Sequence, residues 1–81
     1  PAISFFPNPA SNSVRLLMDR PAGKASFRLM DLHGQILIDQ KWNAFGEPFD
    51  EEISLQKLGS GLYLYEIFDG KTFKQGKLLV E

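Results

Sequence analysis

The only histidine of the chain, His33, stands two residues after Asp31 in the run Asp31-Leu32-His33-Gly34. A carboxylate beside an imidazole is the pairing from which general acid-base chemistry is built. No nucleophile is implied beside the pair, and Asp at such a position commonly accepts the N–H groups of its own turn. The expectation is that Asp31 holds a turn and His33 is solvated. The acidic cluster Glu47, Asp50, Glu51 and Glu52 raises calcium, but it lacks the alternating oxygen ligands around a glycine that make a compact loop site, so a solvated loop and strand start are expected. Lys71-Thr72-Phe73-Lys74-Gln75-Gly76-Lys77 interleaves three lysines with one aromatic residue. That pattern makes a nucleic-acid face only if other basic strands join it, and it suits a charged edge strand kept from aggregating. There is no phosphate-cradling glycine loop, no HExxH and no GxSxG. With no cysteine there is no thiolate nucleophile and no disulfide framework. The expectation is a protein that is not an enzyme and needs neither metal nor cofactor.

The elements that would carry these residues are strands. Val14, Leu16 and Met18 alternate with Ser13, Arg15 and Leu17, and Ala25, Phe27 and Leu29 with Ser26, Arg28 and Met30, the period of a half-buried strand. Turn residues recur at Asp19-Arg20-Pro21-Ala22-Gly23, Leu32-His33-Gly34, Asn43 to Pro48, Gly59-Ser60-Gly61 and Asp69-Gly70. Seven strands are expected, at about 2–6, 13–19, 25–31, 35–41, 50–55, 61–68 and 72–80, with at most one helical turn at Leu55 to Leu58. This density of short strands predicts an all-β, immunoglobulin-like antiparallel sandwich, formed by residues 1–81 as one domain. Nine basic against ten acidic residues give a formal charge of -1, too little field to draw in nucleic acid or an anionic membrane. No apolar run is long enough to span a bilayer and no signal-peptide pattern is present. The chain opens on Pro1 and not on methionine, which points to a processed product or a part of something longer.

Several local expectations follow. In FFPNPASNSV, residues 5–14, Pro7 and Pro9 lack N–H groups and Pro9 biases Asn8 toward extended backbone, so the first strand must stop there, with Asn8 closing a turn through its side chain. Asp69-Gly70 predicts a two-residue hairpin turn. On the hairpin that it joins, Tyr63, Tyr65 and Ile67 share one face and Leu62, Leu64 and Phe68 the other. Leu78 and Val80 should face inward, and Lys77, Leu79 and Glu81 outward. Leu58-Gly59-Ser60-Gly61-Leu62-Tyr63 has the form of a tyrosine corner, in which the hydroxyl bonds to nearby backbone. Trp42, Phe45 and Phe49 are expected together in a loop over 42–49.

Four pieces in order resemble one family: Phe6-Pro7-Asn8-Pro9-Ala10; Asp31-x-x-Gly34; Ile53-x-Leu55-x-x-Leu58-x-x-Gly61-x-Tyr63; and Gly76-Lys77-Leu78-Leu79-Val80-Glu81. Together they are similar to the C-terminal sorting domain of the type IX (Por) secretion system, type A, over essentially the whole chain; the aromatic before the first proline, often Tyr there, is Phe6 here. The resemblance implies a seven-stranded immunoglobulin-like domain at the end of a larger secreted protein. It implies a cargo that passes through the periplasm and is then taken across the outer membrane to the cell surface or released. It implies type IX translocon and shuttle components as partners, with the cargo domain upstream. A sortase-like cysteine protease would cut near or just before residue 1 and join the cargo to anionic lipopolysaccharide. Lys77, Leu78, Leu79, Val80 and Glu81 would be the recognition segment, and Pro7, Asn8, Pro9, Asp31, Gly34, Leu58, Gly61, Tyr63 and Gly76 mainly structural motif residues.

Physics supplies a route for such recognition, because a last strand at a sheet edge offers unpaired N–H and C=O groups to a receptor strand. Leu62, Leu64 and Phe68 offer a second candidate surface. Edge strands also admit a weak homodimer. The alternative function is a fibronectin-like or carbohydrate-binding accessory module of a secreted enzyme, gripping sugar rings through Trp42, Phe45 and Phe49.

Overall fold

A computed structural model describes residues 3–81, and in them the alternating runs become seven strands: β1 (Ile3–Phe6), β2 (Ser13–Met18), β3 (Ala22–Met30), β4 (Ile36–Phe45), β5 (Phe49–Ser54), β6 (Gly61–Phe68) and β7 (Phe73–Val80). Residue 2, expected in the first strand, and Pro1 lie outside the described residues. The strands form a three-stranded sheet in the order β1-β2-β5 and a four-stranded sheet in the order β4-β3-β6-β7, every pairing antiparallel. This is the expected immunoglobulin-like sandwich.

Burial follows the pleat. Val14, Leu16 and Met18 from β2 and Ile53 from β5 meet Ala25, Phe27 and Leu29 from β3, Tyr65 and Ile67 from β6, and Leu78 and Val80 from β7. Each large apolar side chain hidden this way contributes about 1.5–3 kcal/mol. Aromatic pairs close the sandwich at both sides. Phe5 of β1 lies 4.5 Å from Tyr65 and 5.5 Å from Phe27 between ring centres, and Trp42 of β4 packs edge-on against Phe49 of β5 at 4.9 Å. Leu55 to Leu58 forms a turn closed by the Leu58 N–H on the Leu55 carbonyl.

Two segments read as turn or loop are strand. The turn after β2 is confined to Asp19 and Arg20, with Arg20 at φ 59°, and β3 already begins at Ala22. The expected aromatic loop over 42–49 does not form, because β4 continues to Phe45 by pairing Trp42, Asn43, Ala44 and Phe45 with Ala25, Lys24, Gly23 and Ala22. Two segments of weak strand character thus stabilise each other through their ladder and through the Phe45 ring, which lies over Gly23, 3.2 Å from where a Cβ would sit. The remaining connection is Gly46-Glu47-Pro48, anchored by the Gly46 N–H on the Pro21 carbonyl.

The β6–β7 connection also differs from the two-residue turn expected of Asp69-Gly70. Phe68 pairs with Phe73, leaving a four-residue turn in which the buried Asp69 carboxylate accepts the N–H groups of Lys71 and Thr72. Gly70, at φ 94°, passes so close to β3 that a Cβ would come 2.8 Å from the Gly23 nitrogen. The Ala22 N–H donates to the Asp69 carbonyl at 2.7 Å, tying the turn to the start of β3.

Candidate recognition surface on the last strand

β7 is the last strand of the four-stranded sheet, paired on one side to β6. Its alternation divides residues 77–81 in two. Leu78 and Val80 are core residues at 0% and 2% exposure, whereas Lys77, Leu79 and Glu81 point outward, Leu79 at 42%. Across the ladder Leu79 faces Leu62 and Lys77 faces Leu64 on the same outer face. Met30 faces Leu64 from β3, and a shallow cleft of about 500 Å³ opens between Met30, Leu64 and Lys77 beside Gly76. Further along the face, Phe68 and Phe73 are paired and exposed.

The free edge expected along residues 77–81 is not there. After Pro7 the chain leaves the three-stranded sheet and crosses to the far side of β7, a change of sheet that a proline-broken strand permits. The Phe6–Pro7 and Asn8–Pro9 peptides are both cis. The Asn8 carboxamide donates to the Lys77 carbonyl at 2.8 Å and accepts the Leu79 N–H at 3.1 Å. Ala10 forms a parallel bridge with Val80, its N–H on the Leu79 carbonyl and its own carbonyl receiving the Glu81 N–H, each at 2.8 Å. Asn8 therefore does not close its own turn, as the sequence suggested; it stands in for a strand residue where the flanking prolines have no N–H to give. Two prolines around one amide-bearing side chain were the only local sign of this, and the partners lie some 70 residues away.

The other motif residues hold turns and packing. The Asp31 carboxylate accepts the N–H groups of His33 and Gln35, both at 2.9 Å, and Gly34 supplies the positive φ of 88° that the turn requires. His33 is exposed, and of that residue only the main-chain nitrogen meets Asp31. The Tyr63 hydroxyl donates to the Gly59 carbonyl at 2.6 Å, the bond of a tyrosine corner, while Leu58 packs on the core and Gly61 starts β6 opposite Val80. The acidic cluster is dispersed: Asp50 pairs with Arg15 and Glu52 accepts the Ser13 hydroxyl. Among the described residues no group of three or more His, Cys, Asp or Glu is placed to hold a metal ion. Of the aromatic residues considered for sugar stacking, Trp42 and Phe49 pack against each other and Phe45 alone is widely exposed, at 72%.

In this three-on-four β-sandwich Asp31 and Asp69 hold turns, Asp50 pairs with Arg15 and Asp39 and Glu66 with Arg28, and the last strand carries an exposed outer face. Residues 4–81 match the family described as secretion system C-terminal sorting domain, and the chain belongs to that family. It is thus a C-terminal sorting signal for the type IX secretion system, a class that works with that machinery to bring proteins across the outer membrane to the cell surface. No curated protein matches the chain.

Proposed function

We propose that residues 1–81 are one non-catalytic domain at the end of a larger secreted protein, and that the type IX translocon and shuttle components read it on β7. The observation that carries this reading is the division of labour in 77–81. Leu78 and Val80 anchor the strand in the core, leaving Lys77, Leu79 and Glu81 as side chains that a partner can touch. In this reading the cargo crosses the periplasm with the domain attached. A sortase-like cysteine protease then cuts near residue 1 and joins the cargo to anionic lipopolysaccharide. The family membership supports the sorting role, and the exposed outer face of an anchored strand supports the choice of surface.

The test is a fluorescent protein carrying a signal peptide at its start and residues 1–81 at its end, expressed in a host with the type IX machinery and in one lacking it. Surface fluorescence in the first host and periplasmic retention in the second is the expected result. Equal distribution in the two hosts would overturn the proposal. Replacing Lys77, Leu79 and Glu81 together should strand the reporter in the periplasm of the competent host, and unchanged export would exclude these side chains as the contact.

A further inference from the structure

A strand can accept a partner strand only through main-chain groups that point away from its own sheet. Over residues 77–81, at the end of β7 and just past it, the Lys77 carbonyl, both main-chain groups of Leu79 and the Glu81 N–H are engaged by Asn8 and Ala10. Opening this edge means breaking four hydrogen bonds and separating Ala10 from Val80, which are 1% and 2% exposed. The outer face needs no such opening. There Leu79 and Leu62 sit side by side and exposed, Lys77 lies next to Leu64, and neither Lys77 nor Glu81 takes part in the ion pairs among the described residues.

We infer that the recognised form of the sorting signal is the closed one. Asn8 and Ala10 fasten the edge at residues 77–81, and the partner docks face-on against Leu79 and Leu62 between Lys77 and Glu81, without adding a strand to that segment. The partner that fits is a protein surface with an apolar centre, a carboxylate over Lys77 and a hydrogen-bond donor over Glu81. Asn8 is then a positioning residue for the signal: it touches no partner and fixes the strand that does. This rests on the reading of 77–81 as the recognised segment.

Ala10→Cys with Val80→Cys tests the inference, because directly bridged strand residues lie within the span of a disulfide. In the reporter fusion, oxidised in the periplasm, the double variant locks the edge shut. The expected result is surface export at the level of either single-cysteine chain. Retention of the disulfide-bonded chain, with both single variants exported, would overturn closed-form recognition in favour of strand addition. Asn8→Ala works in the opposite direction. Loss of two hydrogen bonds should speed amide exchange at Leu79 roughly tenfold in the purified fusion, with the Phe27 and Ile67 amides still protected, and surface export should fall. Export of Asn8→Ala at or above the wild-type level, with the Leu79 amide exposed, would also overturn the inference. Failure of the underlying reading looks different: Lys77→Glu and Leu79→Lys would then leave export untouched, whatever the state of the clamp.

Discussion

The ring of Tyr65 occupies the space that a side chain at Gly76 would need: a Cβ there would come 2.8 Å from the Tyr65 hydroxyl oxygen and 2.9 Å from Cζ. The two residues are direct cross-strand partners, and Tyr65 also packs at a tilt against Phe5 from the opposite sheet. Gly76 thus lets one aromatic ring join β6, β7 and β1. Gly76→Ala is expected to destabilise the fold by about 1–3 kcal/mol through overpacking. Urea unfolding checks this, and combining Gly76→Ala with Tyr65→Leu should recover part of the loss, since the two residues are in contact and their effects should not add.

Adjacent residues of β7 should give opposite phenotypes. Leu78→Ala empties a core position and should cost about 2–5 kcal/mol. Leu79→Ala, on the outer face, should change stability by no more than about 0.5 kcal/mol yet reduce export of a reporter. Thermal unfolding and surface fluorescence, measured on the same two variants, separate folding from recognition. Deleting residues 77–81 would not separate them, because it removes Leu78 and Val80 together with the exposed side chains.

Asp69 is a buried carboxylate whose Oδ1 organises the β6–β7 turn. Asp69→Ala leaves the Lys71 and Thr72 N–H groups without their acceptor and should cost about 1–3 kcal/mol. Asp69→Asn keeps a side-chain oxygen and should cost less. Gly70→Ala should be at least as damaging as Asp69→Asn, because it joins an unfavourable φ of 94° to a clash with the Gly23 backbone. Denaturation midpoints of the three variants give the order.

Removing the Tyr63 hydroxyl tests the corner alone. Tyr63→Phe keeps the ring, loses the bond to the Gly59 carbonyl and should cost about 0.5–1.5 kcal/mol. Faster amide exchange confined to residues 59–63 is the expected local signature, and a uniform increase along β6 would contradict it.

The strands with strong alternation are legible without any structure. β6 runs from Gly61 to Phe68 and β2 from Ser13 to Met18, as their patterns suggest, because side-chain direction in a strand is a local property of period two. The same rule places Leu78 and Val80 inside and Lys77, Leu79 and Glu81 outside. Local chemistry likewise identifies the turn at Asp31 and Gly34, where every partner lies within four residues. Where the sequence misleads, the deciding partner is remote. Trp42 to Phe45 read as loop because Asn43 to Pro48 carries Asn, Gly and Pro, the residues of turns; they are strand because Ala22 to Ala25 pair with them.

Sequence by itself determines an all-β chain, its Asp31–Gly34 turn, its inward and outward faces, and, through four ordered motifs, its kinship with secretion sorting domains. Tertiary structure alone decides that the opening Pro-Asn-Pro segment and the closing Lys-Leu-Leu-Val-Glu strand are one unit. The prolines tell where the first strand must end, since they have no N–H to donate. Nothing local says that the Asn8 carboxamide will meet Lys77 and Leu79. That contact exists because the two sheets, folding face to face, bring their edge strands β1 and β7 to the same side of the sandwich, where the last strand's outward main-chain groups need partners.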